Sequence, residues 1–563
     1  MGSKMIGEIL IEKGIITDEQ LGKAVQEQKR TGEFIGSCLM RLGYIGEKEL
    51  LVVLSEQFGI PYKDLKEVSI DENIITAIPA KYVWHYKFMP LRLKGNTLTI
   101  AISDPLDIWL LEDIKLNLGY DVECVLSSER EIREVLRKYY GIGAETVEKI
   151  LEKETLKPRS ELAKNIAAVE DIERTAEDAS VIKLVNQILT EAIKLRATDI
   201  HIEPYRESIK LRYRIDGVLY DTPIPPDLKY LHSAIISRIK IISNLDVVER
   251  RLPQDGRAKV KVSDKEVDLR ISILPSLYGE NVVIRILPTQ LLFNLENLGI
   301  EPEDLAKLEV LIKKPHGIIF LTGPTGSGKT TTLYACLSRI NSAEVKIITI
   351  EDPIEYELMG VTQIQMNPKV GLTFANALRS ILRHDPDVMM VGEVRDFETA
   401  ELAIRTSLTG HLVFSTLHTN DAPSGVTRLL DMGIEPYLVA SSVEAFIAQR
   451  LVRVICSECK TEETTRKVEI RGKKVDIKVS KGKGCESCKH TGFKGRTAIY
   501  EILFVDDVIR ELVLQKASAA QIKKKAVSLG MSTLRDHGWA KVNQGITTPE
   551  EITRVVELEG ADA

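Results

Sequence analysis

Residues 323–331 read GPTGSGKTT and match the phosphate-binding pattern G-x-x-x-x-G-K-[ST]. Backbone N–H groups can cradle phosphates only where glycines keep side chains away and allow left-handed backbone conformations. The apolar run HGIIFLT before the loop predicts a buried strand, and TTTLYACLSRI predicts a helix whose N-terminus faces the phosphates. From about residue 291 onward, strands and helices alternate around this loop, which predicts a parallel sheet covered by helices on both faces.

The loop therefore predicts a site for a nucleoside triphosphate. Lys329 would reach the β- and γ-phosphates, and the Thr330 hydroxyl would bind Mg²⁺. The alternative is a Gly/Ser-rich turn that carries an incidental lysine. The residues predicted to hold the nucleotide are Gly323, Pro324, Thr325, Gly326, Ser327, Gly328, Lys329, Thr330 and Thr331.

Length and charge limit the classes of protein that fit. A chain of 563 residues is too long for one hydrophobic core and predicts roughly two to four domains. The sequence has no run of eighteen apolar residues, and MGSKMIGEIL at the start lacks the apolar core of a signal peptide. We therefore expect a cytoplasmic protein. The net charge of −6 argues against nucleic-acid binding by the whole protein, although a local basic patch stays compatible with it.

Four of the seven cysteines form two C-x-x-C pairs, with 25 residues between the pairs. Two such knuckles can bring four thiolates to a tetrahedron, which suits a structural Zn²⁺ with no open position for catalysis. The alternative is two disulfides or unrelated thiols, which a reducing compartment disfavours. The sequence between the pairs alternates around Arg471 and Gly472 and predicts a hairpin. The predicted zinc ligands are Cys456, Cys459, Cys485 and Cys488.

The N-terminal region contains an internal repeat with an offset of 29 residues. IGEILIEKGIITDEQLGKAVQEQ at 6–28 aligns with IGSCLMRLGYIGEKELLVVLSEQ at 35–57. Each unit predicts a short helix that glycine ends and a second helix that begins near Thr17 or Gly46. Strands with a turn at Gly95-Asn96 are predicted within 82–105, and a helix within 128–140.

These patterns predict four segments. An N-terminal domain spans 1–140, a charged linker 141–178, a small α+β domain 179–290, and an ATP-binding domain 291–563 that includes the tetracysteine element 456–488. The α+β domain would begin with a helix that Ser180 caps and continue with mainly antiparallel strands. The region beyond Cys488 is predicted to be mainly helical.

Arginines recur in the predicted strands of the second domain. Alternate residues of a strand point to one face, where arginines could meet a phosphate, although exposed strand arginines are usually only solvated. The arginines concerned are Arg212, Arg214, Arg270 and Arg285.

Acidic residues follow two of the strands predicted beside the phosphate loop. In DPDVMMVGE the position after Val391 is Gly392, not an aspartate, so we expect Glu393 to orient water instead of binding Mg²⁺ directly. In ITIEDPIEYE, four carboxylates at the end of another strand are candidates for the site, and the alternative for Asp352, which precedes Pro353, is a cap or loop role. These carboxylates are Glu351, Asp352, Glu355 and Glu357.

Two histidines flank the apolar run LVFSTL. A lone histidine is more often structural than catalytic. At the end of a strand in such a sheet, either His411 or His418 could respond to the γ-phosphate.

Taken in order, GPTGSGKTT, IEDPIEY, DPDVMMVGEVRD and GHLVFSTLHTND resemble the hexameric ATPases of bacterial secretion systems and type IV pili. The resemblance continues through ATDIHIEP, RYRIDGVL, LPQDGR, YGENVVIRIL, CSEC and CESCKHTGFKGR. The tetracysteine element resembles the assembly and secretion branches, PilB-like and GspE-like, whereas an AIRNLIRE-type stretch typical of retraction motors is absent from the sequence.

The resemblance implies a RecA-like ATPase domain with a zinc subdomain, and a homohexamer that moves its second domain as it hydrolyses ATP. It implies that Arg212, Arg214 and Arg270, with Arg257 behind them, reach the nucleotide. The implied partners are an inner-membrane platform protein (PilC-like) and cytoplasmic accessory pilus proteins, with the hexamer peripheral at the inner membrane. The implied output is pilus extension, with type II secretion as the alternative. A DNA-acting motor and a nucleotide-gated scaffold are further alternatives, and we expect no nucleic acid as partner.

The N-terminal repeat resembles the MshEN module, which binds cyclic di-GMP in some family members. An arginine is expected before each Leu/Ile-Gly pair, but Met5 and Phe34 occupy those positions. The resemblance therefore implies either cyclic di-GMP binding or a docking domain for an inner-membrane partner.

Overall fold

The computed structural model describes residues 6–105, 108–147, 150, 178–262, 265–287, 294–470 and 473–556. These residues form two compact units, one ending at Pro288 and one beginning at Thr289. Among the described residues, no helix has both the length and the apolar composition that a membrane crossing needs. Most of the predicted linker, residues 148–149 and 151–177, lies outside the described residues, as do Met5, Arg471 and Gly472.

The N-terminal repeat folds into two similar helix pairs, as predicted. Thr17 caps the second helix by accepting a hydrogen bond from the backbone N–H of Gln20 at 3.3 Å. A Cβ on Gly7 would lie 2.6 Å from Leu21, and a Cβ on Gly36 would lie 3.0 Å from Leu50, so both repeats use a glycine for the same close packing. The helices are α1 (Ile6–Glu12), α2 (Asp18–Thr31), α3 (Ile35–Arg41) and α4 (Glu47–Phe58).

The rest of the N-terminal region packs helices on a three-stranded sheet of order β1-β2-β3. The predicted turn at Gly95 is present with φ of 58°. The prediction of extended chain from residue 82 was wrong for 82–85, which belong to a short helix that begins after Pro79 and buries Val83 in the core. The elements are α5 (Glu72–Ala77), α6 (Ala80–His85), β1 (Met89–Lys94), β2 (Thr97–Ile102), α7 (Ile108–Leu118), β3 (Asp121–Leu126) and α8 (Glu129–Tyr140).

The next region forms the predicted small α+β fold, with a six-stranded antiparallel sheet of order β6-β5-β4-β9-β8-β7. The first helix is capped by Asp178 and not by Ser180, because the Asp178 carboxylate accepts from the Ser180 N–H at 2.6 Å. The elements are α9 (Ala179–Lys194), β4 (Ala197–Pro204), β5 (Ile209–Ile215), β6 (Val218–Thr222), α10 (His232–Ile242), β7 (Gln254–Val262), β8 (Lys265–Ser276) and β9 (Gly279–Leu287).

The second unit is built on a seven-stranded sheet of order β12-β11-β13-β14-β10-β15-β18. The strands are parallel except β18, which pairs antiparallel with β15. All residues of β10 and β14 are buried, as expected for strands covered on both faces. The strands are β10 (Gly317–Thr322), β11 (Ile347–Glu351), β12 (Thr362–Gln365), β13 (Val388–Val391), β14 (Leu412–Leu417), β15 (Val443–Ile455) and β18 (Phe493–Phe504).

Helices cover this sheet, and a separate hairpin of β16 (Lys460–Ile470) and β17 (Lys473–Gly482) extends from it. The region beyond Cys488 is mainly helical, as predicted, but it begins with the long strand β18, which pairs with β15 over almost its whole length. The helices are α11 (Pro302–Leu311), α12 (Lys329–Ile340), α13 (Phe374–Ile381), α14 (Phe397–Leu408), α15 (Pro423–Asp431), α16 (Pro436–Ser442), α17 (Asp507–Leu514), α18 (Ala519–Ser528), α19 (Leu534–Asn543) and α20 (Pro549–Val556).

Candidate nucleotide and metal sites

The phosphate loop joins β10 to α12 and has the backbone that phosphate binding requires. Gly323, Gly326 and Gly328 have φ values of 147°, 79° and 91°, which side chains other than glycine rarely adopt. The Ser327 hydroxyl is buried and has no hydrogen-bond partner among the described residues. Lys329 folds back over the loop and donates from Nζ to the carbonyl oxygen of Gly323 at 2.6 Å. The loop thus has the left-handed glycines, the Ser327 hydroxyl and the lysine that suit an anion.

The pKa of Lys329 is lowered to about 8, mainly because the ammonium is partly buried and also because the positive charge of Arg450 is close. The negative charge of Glu393 acts in the opposite direction. A bound triphosphate would favour the charged ammonium, so nucleotide binding should restore a higher pKa.

Glu393 and His418 lie at the same edge of the sheet as the phosphate loop, because they follow the adjacent parallel strands β13 and β14. His418 Nε2 lies 3.4 Å from one carboxylate oxygen of Glu393, and Arg395 Nη2 lies 2.7 Å from the other. The side chain of Glu393 is 15% exposed and that of His418 is 46% exposed. A carboxylate at this edge can orient water for attack on a γ-phosphate.

The structure does not bring His411 to this edge. His411 precedes β14, and its carbonyl oxygen accepts from the N–H of Gly317 at the start of β10. Its ring Nδ1 lies 3.2 Å from the carbonyl oxygen of Thr406. The two ends of a six-residue strand are ~20 Å apart, so the prediction that His411 belongs with the nucleotide residues is corrected.

Glu351 ends β11 and is buried in a hydrogen-bond network. Its carboxylate accepts from the Tyr334 hydroxyl, from Thr349 Oγ1 at 2.6 Å and from Gln363 Nε2 at 3.0 Å. These contacts hold the strand to helix α12 and to β12, which fits a structural role. Asp352 is exposed and forms a cis peptide bond with Pro353, and Glu355 is half-buried. Catalytic roles for all three carboxylates stay predictions.

The arginines of the first unit form a row across its antiparallel sheet. Arg257 faces Arg270, and Arg270 faces Arg285, across neighbouring strands, and the three line a cleft of about 360 Å³. Like charges directly opposite each other are unfavourable in a sheet, and Arg285 is already paired, because its Nε donates to the Asp199 carboxylate at 3.1 Å. An anion in the cleft would reduce the repulsion between Arg257 and Arg270. Arg212 instead pairs with Glu203 at 2.6 Å, and Arg214 lies 3.6 Å from Asp199. That these arginines reach the nucleotide stays a prediction.

Sequence reasoning missed two polar residues of β15 beside the phosphate loop, Gln449 and Arg450. Gln449 Oε1 accepts from Thr332 Oγ1 of α12 at 2.9 Å, and Arg450 is 8% exposed. The available signal was the pair of polar residues inside the otherwise apolar run FIAQRLV.

The four predicted cysteines come together, with all sulfur atoms within 4.8 Å of one another. The Sγ atoms of Cys456 and Cys485 are 3.7 Å apart, and those of Cys459 and Cys488 are 3.8 Å apart. These separations match the ~3.8 Å edge of a tetrahedron with Zn–S bonds of ~2.3 Å, and they are too long for disulfides. Backbone N–H groups of Gly484 and Cys485 also point at sulfur atoms, at 3.3 and 3.1 Å. The donor set therefore fits a closed Zn²⁺ site.

Family models of known proteins match both the N-terminal region and the larger C-terminal part of the chain. The family model for the type II/IV secretion system protein matches residues 174–554, and the model for the MshEN domain matches residues 58–146. The MshEN match therefore follows the repeat of residues 6–57, on which the sequence prediction rested.

Relatives from both type IV pilus assembly and type II secretion match almost the full chain. The type IV pilus assembly ATPase PilB of Myxococcus xanthus is 44% identical over 561 residues, and the type II secretion system protein E of Xanthomonas campestris is 39% identical over 563 residues. Each match covers 98% of this chain and 98% of the relative. The solved ATPase DotB of Yersinia pseudotuberculosis shares the fold with a TM-score of 0.52 at 22% identity, over 67% of this chain and 94% of that one.

Proposed function

The chain belongs to the type II/IV secretion system protein family and is an ATPase of that family, and we propose that it drives type IV pilus assembly. The observation that carries this choice is the 44% identity to a pilus assembly ATPase over 98% of both chains. Type II secretion is the second candidate, because a type II secretion protein is 39% identical over the same share.

In the proposed site, the phosphate loop and Lys329 hold the triphosphate, and Thr330 binds the Mg²⁺ that neutralises phosphate charge. Glu393 orients the attacking water and takes up its proton. His418, 3.4 Å from that carboxylate, senses whether the γ-phosphate is present. The arginine row of the second domain supplies positive charge to the nucleotide from Arg257 and Arg270, with Arg212 and Arg214 farther along the sheet.

Four cysteines at tetrahedral spacing support a structural Zn²⁺ bound by Cys456, Cys459, Cys485 and Cys488. We further propose a cytoplasmic homohexamer, peripheral at the inner membrane, that works on a platform protein with accessory pilus proteins. Nucleic acid is no part of the proposal, and salt-sensitive binding of single-stranded DNA to filters would contradict it. Cyclic di-GMP binding at the repeat stays a prediction, because Phe34, which is 65% exposed, stands where the binding module is expected to have an arginine.

The test is a chromosomal Glu393→Gln variant in the source organism, with surface pilin and secreted exoproteins measured in one culture. We expect surface pilin to vanish while secretion persists, because the variant cannot activate water. Glu398→Gln, an exposed carboxylate on α14 outside the site, is the matched control and should keep normal pili. Exoproteins trapped in the periplasm with pili intact would assign the chain to type II secretion instead.

A further inference from the structure

Strand β15 places Gln449 and Arg450 against the phosphate loop. Thr322, the last residue of β10, faces Ala448 of β15, so the next residues of both strands lie side by side. A Cβ on Gly323 would lie 2.7 Å from the Gln449 carbonyl oxygen and 3.2 Å from Arg450 Nη1. The backbone of β15 therefore packs directly against the phosphate loop.

The Arg450 guanidinium also contacts the segment that follows β14. Nη1 donates to the carbonyl oxygen of Gln449 at 3.0 Å, and Nη2 donates to the carbonyl oxygen of Asn420 at 2.7 Å. Asn420 belongs to the histidine loop, which we define as residues 418–421. One planar guanidinium thus links strand β15, which packs against the phosphate loop, to the segment that carries His418.

Arg450 brings a second positive charge close to Lys329. Both groups approach Gly323, because Lys329 Nζ donates to its carbonyl oxygen at 2.6 Å. Two partly buried cations so near each other repel, and the negative charge of Glu393 acts against that repulsion at Lys329. A bound anion would stabilise both cations further. The guanidinium stays charged at every pH at which the protein folds, so its charge is a fixed part of the site.

We propose that Arg450 is a positioning residue for ATP hydrolysis, which holds the histidine loop against the phosphate loop and adds fixed positive charge beneath the bound phosphates. Removal of the charge should weaken nucleotide binding. A substitution that keeps the charge but loses the two guanidinium hydrogen bonds should slow turnover, because His418 and Glu393 would lose their fixed distance from the phosphates. This inference rests on the ATP site and is independent of the choice between pilus assembly and secretion.

The test compares Arg450→Met and Arg450→Lys in the full chain. Arg510→Met is the matched control, because Arg510 also donates to a backbone carbonyl in the same unit, that of Ala440 at 3.1 Å. The dissociation constant of Mg²⁺-ADP is measured from pH 7 to 9.5, together with kcat, KM and the unfolding temperature. Arg510→Met should keep the wild-type nucleotide affinity and turnover.

We expect Arg450→Met to weaken ADP binding about tenfold or more at pH 7, as loss of a charged hydrogen-bond donor would. The pH above which affinity falls should move upward from the wild-type value, since burial still lowers the pKa of Lys329 but the added effect of the Arg450 charge is gone. Arg450→Lys keeps the charge, so it should keep the wild-type pH profile while kcat falls and KM changes little.

Wild-type affinity and pH profile in Arg450→Met would overturn the proposal. If Arg450→Met does not fold, Arg450→Lys still tests the proposal. A wild-type kcat in Arg450→Lys would overturn it, because the guanidinium hydrogen bonds would then have no role in turnover. A wild-type protein without ATP turnover would refute the ATPase function itself. Failure of the ATPase function can therefore be told apart from failure of the Arg450 proposal.

Discussion

Replacing Glu351 with Gln should destabilise the second unit and leave the chemical step largely intact. The carboxylate accepts hydrogen bonds from Tyr334, Thr349 and Gln363, and the residue is 3% exposed. A glutamine of the same size offers one acceptor oxygen and brings an NH₂ group that faces other donors. At least one charge-assisted bond is lost, at about 1.5–3 kcal/mol each, so we expect a loss of ~2 kcal/mol.

For a domain of this size, that loss corresponds to a fall of about 4–8 °C in the unfolding temperature. Calorimetry of the zinc-loaded, nucleotide-free protein measures the fall, and ATPase assays well below the transition measure the chemistry. Glu393→Gln is the matched comparison, because it should lower kcat about 100-fold or more with little change in unfolding temperature. If Glu351→Gln unfolds like the wild type but loses as much turnover as Glu393→Gln, Glu351 is catalytic and our structural reading is wrong.

Two further changes test the loop and the metal site. Nucleotide affinity should stay constant below about pH 8 and fall about tenfold per pH unit above it, because binding needs the charged Lys329 ammonium, whose pKa is about 8 in the free protein. An affinity that is independent of pH up to 9.5 would contradict this role of Lys329. Lys329→Ala should abolish turnover with the fold intact. Replacing Cys456 with Ser should release the metal and unfold the hairpin region locally, as metal analysis and limited proteolysis would show, whereas unchanged zinc content would refute the four-thiolate site.

The sequence predicted the features that depend on local pattern. The glycine spacing at 323–328, the 29-residue repeat and the alternation of strands and helices each have a local physical cause, and the structure contains all three. The sequence could not separate Glu351 from Glu393, since both end apolar strands. The difference lies in Tyr334 and Gln363, which are distant in sequence and bury the Glu351 carboxylate. His411 is different, because the rule that a strand's ends lie at opposite edges already excluded it.

The missing aspartate after Val391 also has a packing cause that sequence could not reveal. The Gly392 N–H donates to the carbonyl oxygen of Ile350 at 2.8 Å, and a Cβ at this position would lie 3.1 Å from that oxygen. A Cβ there would be a tight contact, which the strands could relieve only by shifting by a few tenths of an ångström, and the acidic residue stands one position later, at Glu393. In the proposed site, the Thr330 hydroxyl and the nucleotide's phosphates would then hold Mg²⁺ without a direct carboxylate ligand. Mg²⁺ suits such a site, because it gives up its water reluctantly and often binds through substrate phosphates with few protein ligands.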